Sequence, residues 1–189
     1  MDAFYTENIV TEKYGYNMTI NLYQDIDAPN PFDEFDTLGT LETFTSATEY
    51  RERIEQVDKE RSIFVEGSTL RTEYVIYASR ACIRTAYNVK RLTKKTLAKA
   101  FDCLMSERAI YENWLNGGVT GYIVTDDETG EEIDSCWGFY DDDNDEHALE
   151  EAREAAENYR RPIPAWAKNW KLLPGLTAEQ VGNPFLRVA

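Results

Sequence analysis

Residues 126 to 157 carry fifteen acids against one base, and they enclose one apolar patch, Ile133 to Tyr140. Unpaired carboxylates stay in water, so this stretch can fold only into elements with one wet face and one dry face. The reading that satisfies this is a hairpin followed by an amphipathic helix. "VTGYIVTD" and "EIDSCWGFY" are strands joined across "DETGE". Ile133, Ser135, Trp137 and Phe139 then share one face, expected to be the core side. A helix from about Asp145 to Tyr159 should bury Leu149, Ala152, Ala156 and Tyr159, with Asp143, Asn144 or Asp145 as its cap. Its acidic first turn suits the helix dipole.

The rest of the chain mixes strands and helices without a regular βαβ alternation. "YGYNMTINLYQD" (14–25) alternates, placing Tyr16, Met18, Ile20 and Leu22 on one face. "DIDAPNPFDEFDTLGT" reads as a loop in which Pro29 and Pro31 exclude a helix. "LGTLETF" (38–44) is a short strand, and residues 48–61 form a helix capped by Thr48. "SIFVEG" and "EYVIYASRA" are strands divided by a turn at Gly67–Ser68. A long helix begins after Thr93 and stops at Gly117–Gly118, with Leu97, Phe101, Leu104, Met105 and Trp114 or Leu115 on its apolar face. The expected class is α+β, an antiparallel sheet with two or three packing helices. Residues 1–159 form one domain. Residues 160–189, holding four of the six prolines and two of the four tryptophans, are a C-terminal extension that packs on the body or serves as a partner-binding arm.

Several chemistries are poorly supported. His147 is the one histidine and stands among Asp and Glu at the start of the last helix, so a Ser-His-Asp arrangement and the usual zinc ligand sets are poorly supported. Cys82, Cys103 and Cys136 are odd in number and widely spaced, which suits reduced thiols in a cytoplasm. "DDDND" (141–145) matches the first ligand positions of a calcium loop but lacks its glycine and its bidentate glutamate. No stretch is apolar enough for a membrane span, and the N-terminus does not read as a secretory signal. The expectation is a non-enzymatic cytoplasmic protein with no cofactor and no metal.

The net charge of −15 sets the partner class. It disfavours nucleic acid and membrane as direct partners and favours a basic protein. Charge is also segregated: the net charge of residues 126–157 is −14, whereas residues 51–125 hold thirteen bases to nine acids. Within the latter, Lys90, Arg91, Lys94, Lys95 and Lys99 either pair with acids elsewhere or form a nucleic-acid patch. The candidate partner-binding residues are Asp126, Asp127, Glu128, Glu131, Asp141, Asp142, Asp143, Asp145 and Glu146 around the hairpin, continued by Glu150 and Glu154. Glu150, Glu154 and Glu157 follow helical spacing, and like charges so placed cost a few tenths of a kcal/mol per pair, which folding alone does not ask for. Trp166 and Trp170 are the anchors of a rival reading, in which the charge provides solubility and a hydrophobic C-terminal surface binds the partner. A carboxylate-bound Mg²⁺ around Asp141 to Asp145 is the enzymatic alternative.

Two longer stretches resemble a small family of acidic phage and plasmid proteins. "INLYQDIDAPNPFDEFDTLGT" (20–40) is similar to its pattern of a strand ending in Gln-Asp-x-Asp, then Asn-Pro, then Phe-Asp-x-Leu-Gly-Thr. "GYIVTDDETGEEIDSCWGFYDD" (121–142) looks like its second half, and "YVIYASRACIRTAYNVKRLTKK" fills the middle. The resemblance implies a phage setting and no catalytic residues. It suggests an anti-defence protein of antirestriction or anti-CRISPR type, whose acidic face imitates nucleic acid in the basic groove of a host protein. A homodimer is compatible with it.

Overall fold

The computed structural model describes residues 2–69, 72–140 and 143–162. Twelve elements follow in chain order: β1 (Tyr5–Val10), β2 (Asn17–Gln24), α1 (Pro31–Glu34), β3 (Thr40–Phe44), α2 (Ala47–Lys59), β4 (Ile63–Ser68), β5 (Glu73–Ala78), α3 (Arg80–Ala86), α4 (Lys94–Leu115), β6 (Thr120–Asp126), β7 (Glu132–Phe139) and α5 (Asn144–Asn158). The fold is α+β, with two antiparallel sheets ordered β1-β2-β6-β7 and β3-β5-β4.

In the larger sheet, alternation in β2 sends Met18, Ile20 and Leu22 to one face, where Tyr122 and Val124 of β6 join them. Helix α5 closes that face with Ala148, Ala152 and Ala156, all fully buried. Alanine at i, i+4 and i+8 brings the helix backbone close to the strands. In the smaller sheet β5 is central, and its Tyr74, Val75, Ile76 and Ala78 are all buried. Tyr74, Ile76 and Ala78 meet Ala100, Leu104 and Tyr111 of α4. On the other face, fully buried Val75 and Val57 lie where α2 covers the sheet. There Arg53 of α2 donates twice to Glu42, at 2.8 Å each, and its guanidinium lies 4.8 Å from the Tyr77 ring centre.

The 25–35 segment joins the two cores. Trp114 Nε1 donates to the Ala28 carbonyl and Tyr140 Oη to that of Pro29, both at 2.8 Å. Phe35 meets Tyr140 edge-on. A one-turn helix lies inside this segment, contrary to the sequence expectation. Pro31 occupies its first turn, where the missing N–H costs nothing, and the Asn30 side chain accepts from the Phe32 N–H at 3.0 Å.

Other expectations are corrected in the same way. Five helices are present among the described residues, because α1 and α3 are too short to show a period. The strand read as ending at Ala81 ends at Ala78, and Ser79 caps α3 by accepting from the Cys82 N–H at 3.1 Å. Ser46 caps α2, not Thr48. Gly67 and Ser68 are paired inside β4, and the turn closes where the Thr69 N–H donates to the Thr72 carbonyl. Thr93 caps α4 as expected, but the apolar face of that helix is rotated. Ala100 and Tyr111 are buried beside Leu104, while Phe101, Met105 and Leu115 are exposed.

Candidate functional site

Strand β7 departs furthest from its expected pattern. Two bulges interrupt its pairing with β6, one at Ile133 and one at Trp137–Gly138. Each inserts a residue and reverses which side chains face inward. Ile133, Cys136 and Phe139 therefore pack on the core, at a spacing of three. Ser135 and Trp137 do not: Ser135 is exposed, and Trp137 lies over Gly121 against Tyr23, with ring centres 5.9 Å apart. Gly138 sits at φ +83°, and a Cβ there would meet only an ordinary contact with Tyr140. Gly138→Ala is thus expected to lose about 1–2 kcal/mol from backbone strain alone, measured by urea unfolding.

The hairpin carries its two acidic groups to opposite ends of the sheet. Asp127, Glu128 and Glu131 surround the β6–β7 turn. Asp143, Asp145 and Glu146 stand at the start of α5, where the Thr120 hydroxyl donates to Asp145 at 2.6 Å and Asn144 donates to the Gly118 carbonyl. Asp143 occupies the cap position of α5, without a capping bond from its side chain. Helix α5 runs from one end to the other. Its C-terminal turn reaches the β1–β2 turn, where the Glu157 carboxylate accepts the Glu12 and Lys13 N–H groups at 2.7 and 3.3 Å. The carboxylates therefore form a band along one helix, not a cluster around one strand.

The described candidates divide between that band and other surroundings. Glu146, Glu150 and Glu154 are exposed and successive at i, i+4, so they form a ridge with a step of about 6 Å. Glu131, Asp143 and Asp145 are exposed at its two ends, whereas Asp127, also exposed, accepts from the Thr19 hydroxyl at 2.6 Å and so turns to the sheet face away from α5. Glu128 is half-bound, accepting from Arg161 at 2.6 Å. Asp126 leaves the set: it is fully buried, with Arg161 donating to both of its oxygens at 2.5 and 2.6 Å. Burial alone would raise its carboxyl, but Arg161 and the N–H groups of Glu128 and Thr129 more than offset this and hold it below the usual range. Asp141, Asp142, Trp166 and Trp170 lie outside the described residues.

Glu157 is partly buried and bound to backbone, so it anchors the helix and does not extend the ridge. Two further acids border the band on its β7 side. Glu151 lies 3.6 Å from the His147 imidazole, and Asp134 accepts from the Tyr122 hydroxyl at 2.8 Å. Burial and the Asp134 carboxylate push the Tyr122 phenol well up. Glu151 was legible as the neighbour of Glu150 in the acid run; Asp134 joined the band only through the bulge at Ile133. Among the described residues Arg153 and Arg161 form ion pairs beside the band, Arg153 donating to Glu7 at 2.8 to 3.2 Å. Arg161 also covers the Tyr16 ring at 4.2 Å, so the folded body extends past residue 159.

Among the described residues, no three His, Cys, Asp or Glu side chains converge to hold a metal ion, and no helix is long and apolar enough to cross a membrane. A cleft of about 340 Å³ lies between the start of α5 and the end of α4, lined in part by Gln24, Asn113, Thr120 and Asp145. Fold and site together describe an α+β protein that carries an acidic helix on its surface. Comparison with protein-family models, curated proteins and solved structures gives no match.

Proposed function

We propose that this chain is a phage-encoded, non-enzymatic inhibitor of a bacterial nucleic-acid-directed defence protein, acting in the cytoplasm of the infected cell. Its acidic band occupies a basic groove that ordinarily holds a polynucleotide. The observation that carries this reading is the ridge Glu146–Glu150–Glu154, fixed to a helix whose alanine face is locked on the sheet.

Charge density supports it. Helix α5 holds six acids and one arginine in fifteen residues. Over a length of about 22 Å that is one net charge per roughly 4.5 Å, against one per 3.4 Å along a single DNA strand. The ridge side chains have no cation of this chain within ion-pair distance among the described residues. Such an array attracts a cationic cleft at long range and speeds encounter.

The test is capture from a bacterial lysate at low and high salt, comparing the wild type with Glu146→Lys, Glu150→Lys and Glu154→Lys combined. The expected partner is a nucleic-acid-binding protein that is displaced by polynucleotide. Its affinity should fall at least tenfold in the triple variant. A partner whose binding ignores salt, polynucleotide and charge reversal alike would overturn the reading.

A further inference from the structure

The opposite pole of the molecule has the opposite charge. Residues 79–101 contain seven bases and no acid, inside a chain with 35 acids and 20 bases. Arg80 and Arg84 stand on α3, Lys90 and Arg91 in the connection, and Lys94, Lys95 and Lys99 on the first two turns of α4. All seven are exposed. The Val89 N–H donates to the Arg84 carbonyl at 3.0 Å, folding the connection back so that Lys90 follows directly on the end of α3. Lys90 and Arg91 thereby lie between the end of α3 and the three lysines that open α4, while Arg80 donates to the Arg61 carbonyl at 3.0 Å.

The sequence left open whether these bases neutralise acids elsewhere. Among the described residues none of the seven forms an ion pair. The fold makes the placement of three of them costly, Arg80, Lys94 and Lys95, whereas Arg84 stands in the last turn of α3, where the dipole favours a cation. Neither α3 nor α4 has an acid in its first turn, and Lys94 and Lys95 stand at the positive end of a 22-residue helix. Each cation so placed costs about 0.3–1 kcal/mol at an exposed helix start. A surface that keeps unpaired cations at a cost is one that meets an anion.

We infer that this pole binds the phosphate backbone of single-stranded nucleic acid. Phe101 and Met105 decide between polyanions. They are 43% and 42% exposed and continue the stripe begun by Lys94 and Ala98 at i, i+4, i+7 and i+11. Unpaired bases offer flat apolar surfaces to such side chains next to the phosphates their lysines neutralise. The acidic band of a second copy offers no match, because none of the exposed large apolar residues lies on α5. The band of the same molecule is out of reach. Helix α4 is about 33 Å long and only its far end approaches α5, a distance several times the screening length of about 8 Å at physiological salt. For the same reason the net charge of −15, which disfavours nucleic acid for the chain as a whole, does not govern this pole.

Fluorescence anisotropy of a labelled oligothymidylate and of a duplex of equal length tests this. The wild type should bind the single strand more tightly than the duplex. With four phosphate contacts its affinity should fall about 50-fold between 50 and 200 mM salt. Lys94→Glu with Lys95→Glu should abolish binding, and Arg51→Glu with Lys59→Glu, the same charge change on α2, should leave it within about twofold. Phe101→Ala should weaken the single strand roughly tenfold and the duplex little. Circular dichroism melts check that every variant folds. Absence of binding at 50 mM salt with protein at about 100 µM would overturn the inference. So would equal loss in both double variants. Salt-sensitive self-association removed by Lys94→Glu with Lys95→Glu, seen in sedimentation without nucleic acid, would assign the pole to a second copy instead. None of these outcomes depends on the acidic band.

Discussion

Replacing Arg161 with alanine is expected to destabilise the protein by about 3–5 kcal/mol at neutral pH, because Asp126 is left buried and charged without its partner. For a chain of this size that lowers the melting temperature on the order of 10 °C. Asp126 is fully buried beneath Arg161, and once the guanidinium is removed the Glu128 and Thr129 N–H groups remain its only described donors. The pH dependence distinguishes this from lost packing on Tyr16. In the wild type the carboxyl is held below its ordinary value. Its stabilising contribution is complete above the unfolded pKa of about 3.9 and fades as pH falls through the lower folded value. In Arg161→Ala the guanidinium no longer holds the carboxyl down, so it protonates at a higher pH than in the wild type. The gap between the two proteins should therefore narrow towards pH 4. Urea unfolding between pH 4 and 7 measures this, and a difference below about 1 kcal/mol at pH 7 would contradict the buried pair.

The second large effect is a contrast between two neighbours on α4. Leu104→Ala should cost about 2–5 kcal/mol, since the side chain is fully buried among Val65, Ile76 and Ala100 and its removal leaves a cavity. Phe101→Ala, three residues earlier, should cost no more than about 0.5 kcal/mol, as expected of an exposed position. Both residues satisfy the same helical period in the sequence. If urea unfolding gave them equal costs, α4 would be rotated from the orientation described, and Phe101 would no longer be available to a ligand.

That contrast shows where the sequence stops being legible. Period and caps located α4, its start at Thr93 and its end before Gly117, because those depend on neighbours three or four residues away. They could not choose between Phe101 and Tyr111 as the buried aromatic. Ala100 and Gly39 allow the close approach that buries one side of the helix, and a Cβ on Gly39 would strike Ile76, Leu104 and Glu107. Glu107 in turn accepts the Leu38 and Gly39 N–H groups at 2.5 and 2.9 Å, a bond spanning 68 or 69 residues.

The candidate site divides along the same line. Strand alternation in β2, the hairpin, the acidic helix and the segregation of charge are local properties, and the sequence alone determined them. The rest was decided by the tertiary structure. Which acids share a surface followed from the sheet sending the hairpin turn and the start of α5 to opposite ends. Two bulges in β7 exchanged Trp137 for Cys136 on the core side. Asp126, one carboxylate in a run of acids, became a buried anchor because Arg161 returns to it across 35 residues. Local pattern records what each short segment prefers, and contacts between distant segments determine which preference is buried, which is paired and which is left for a partner.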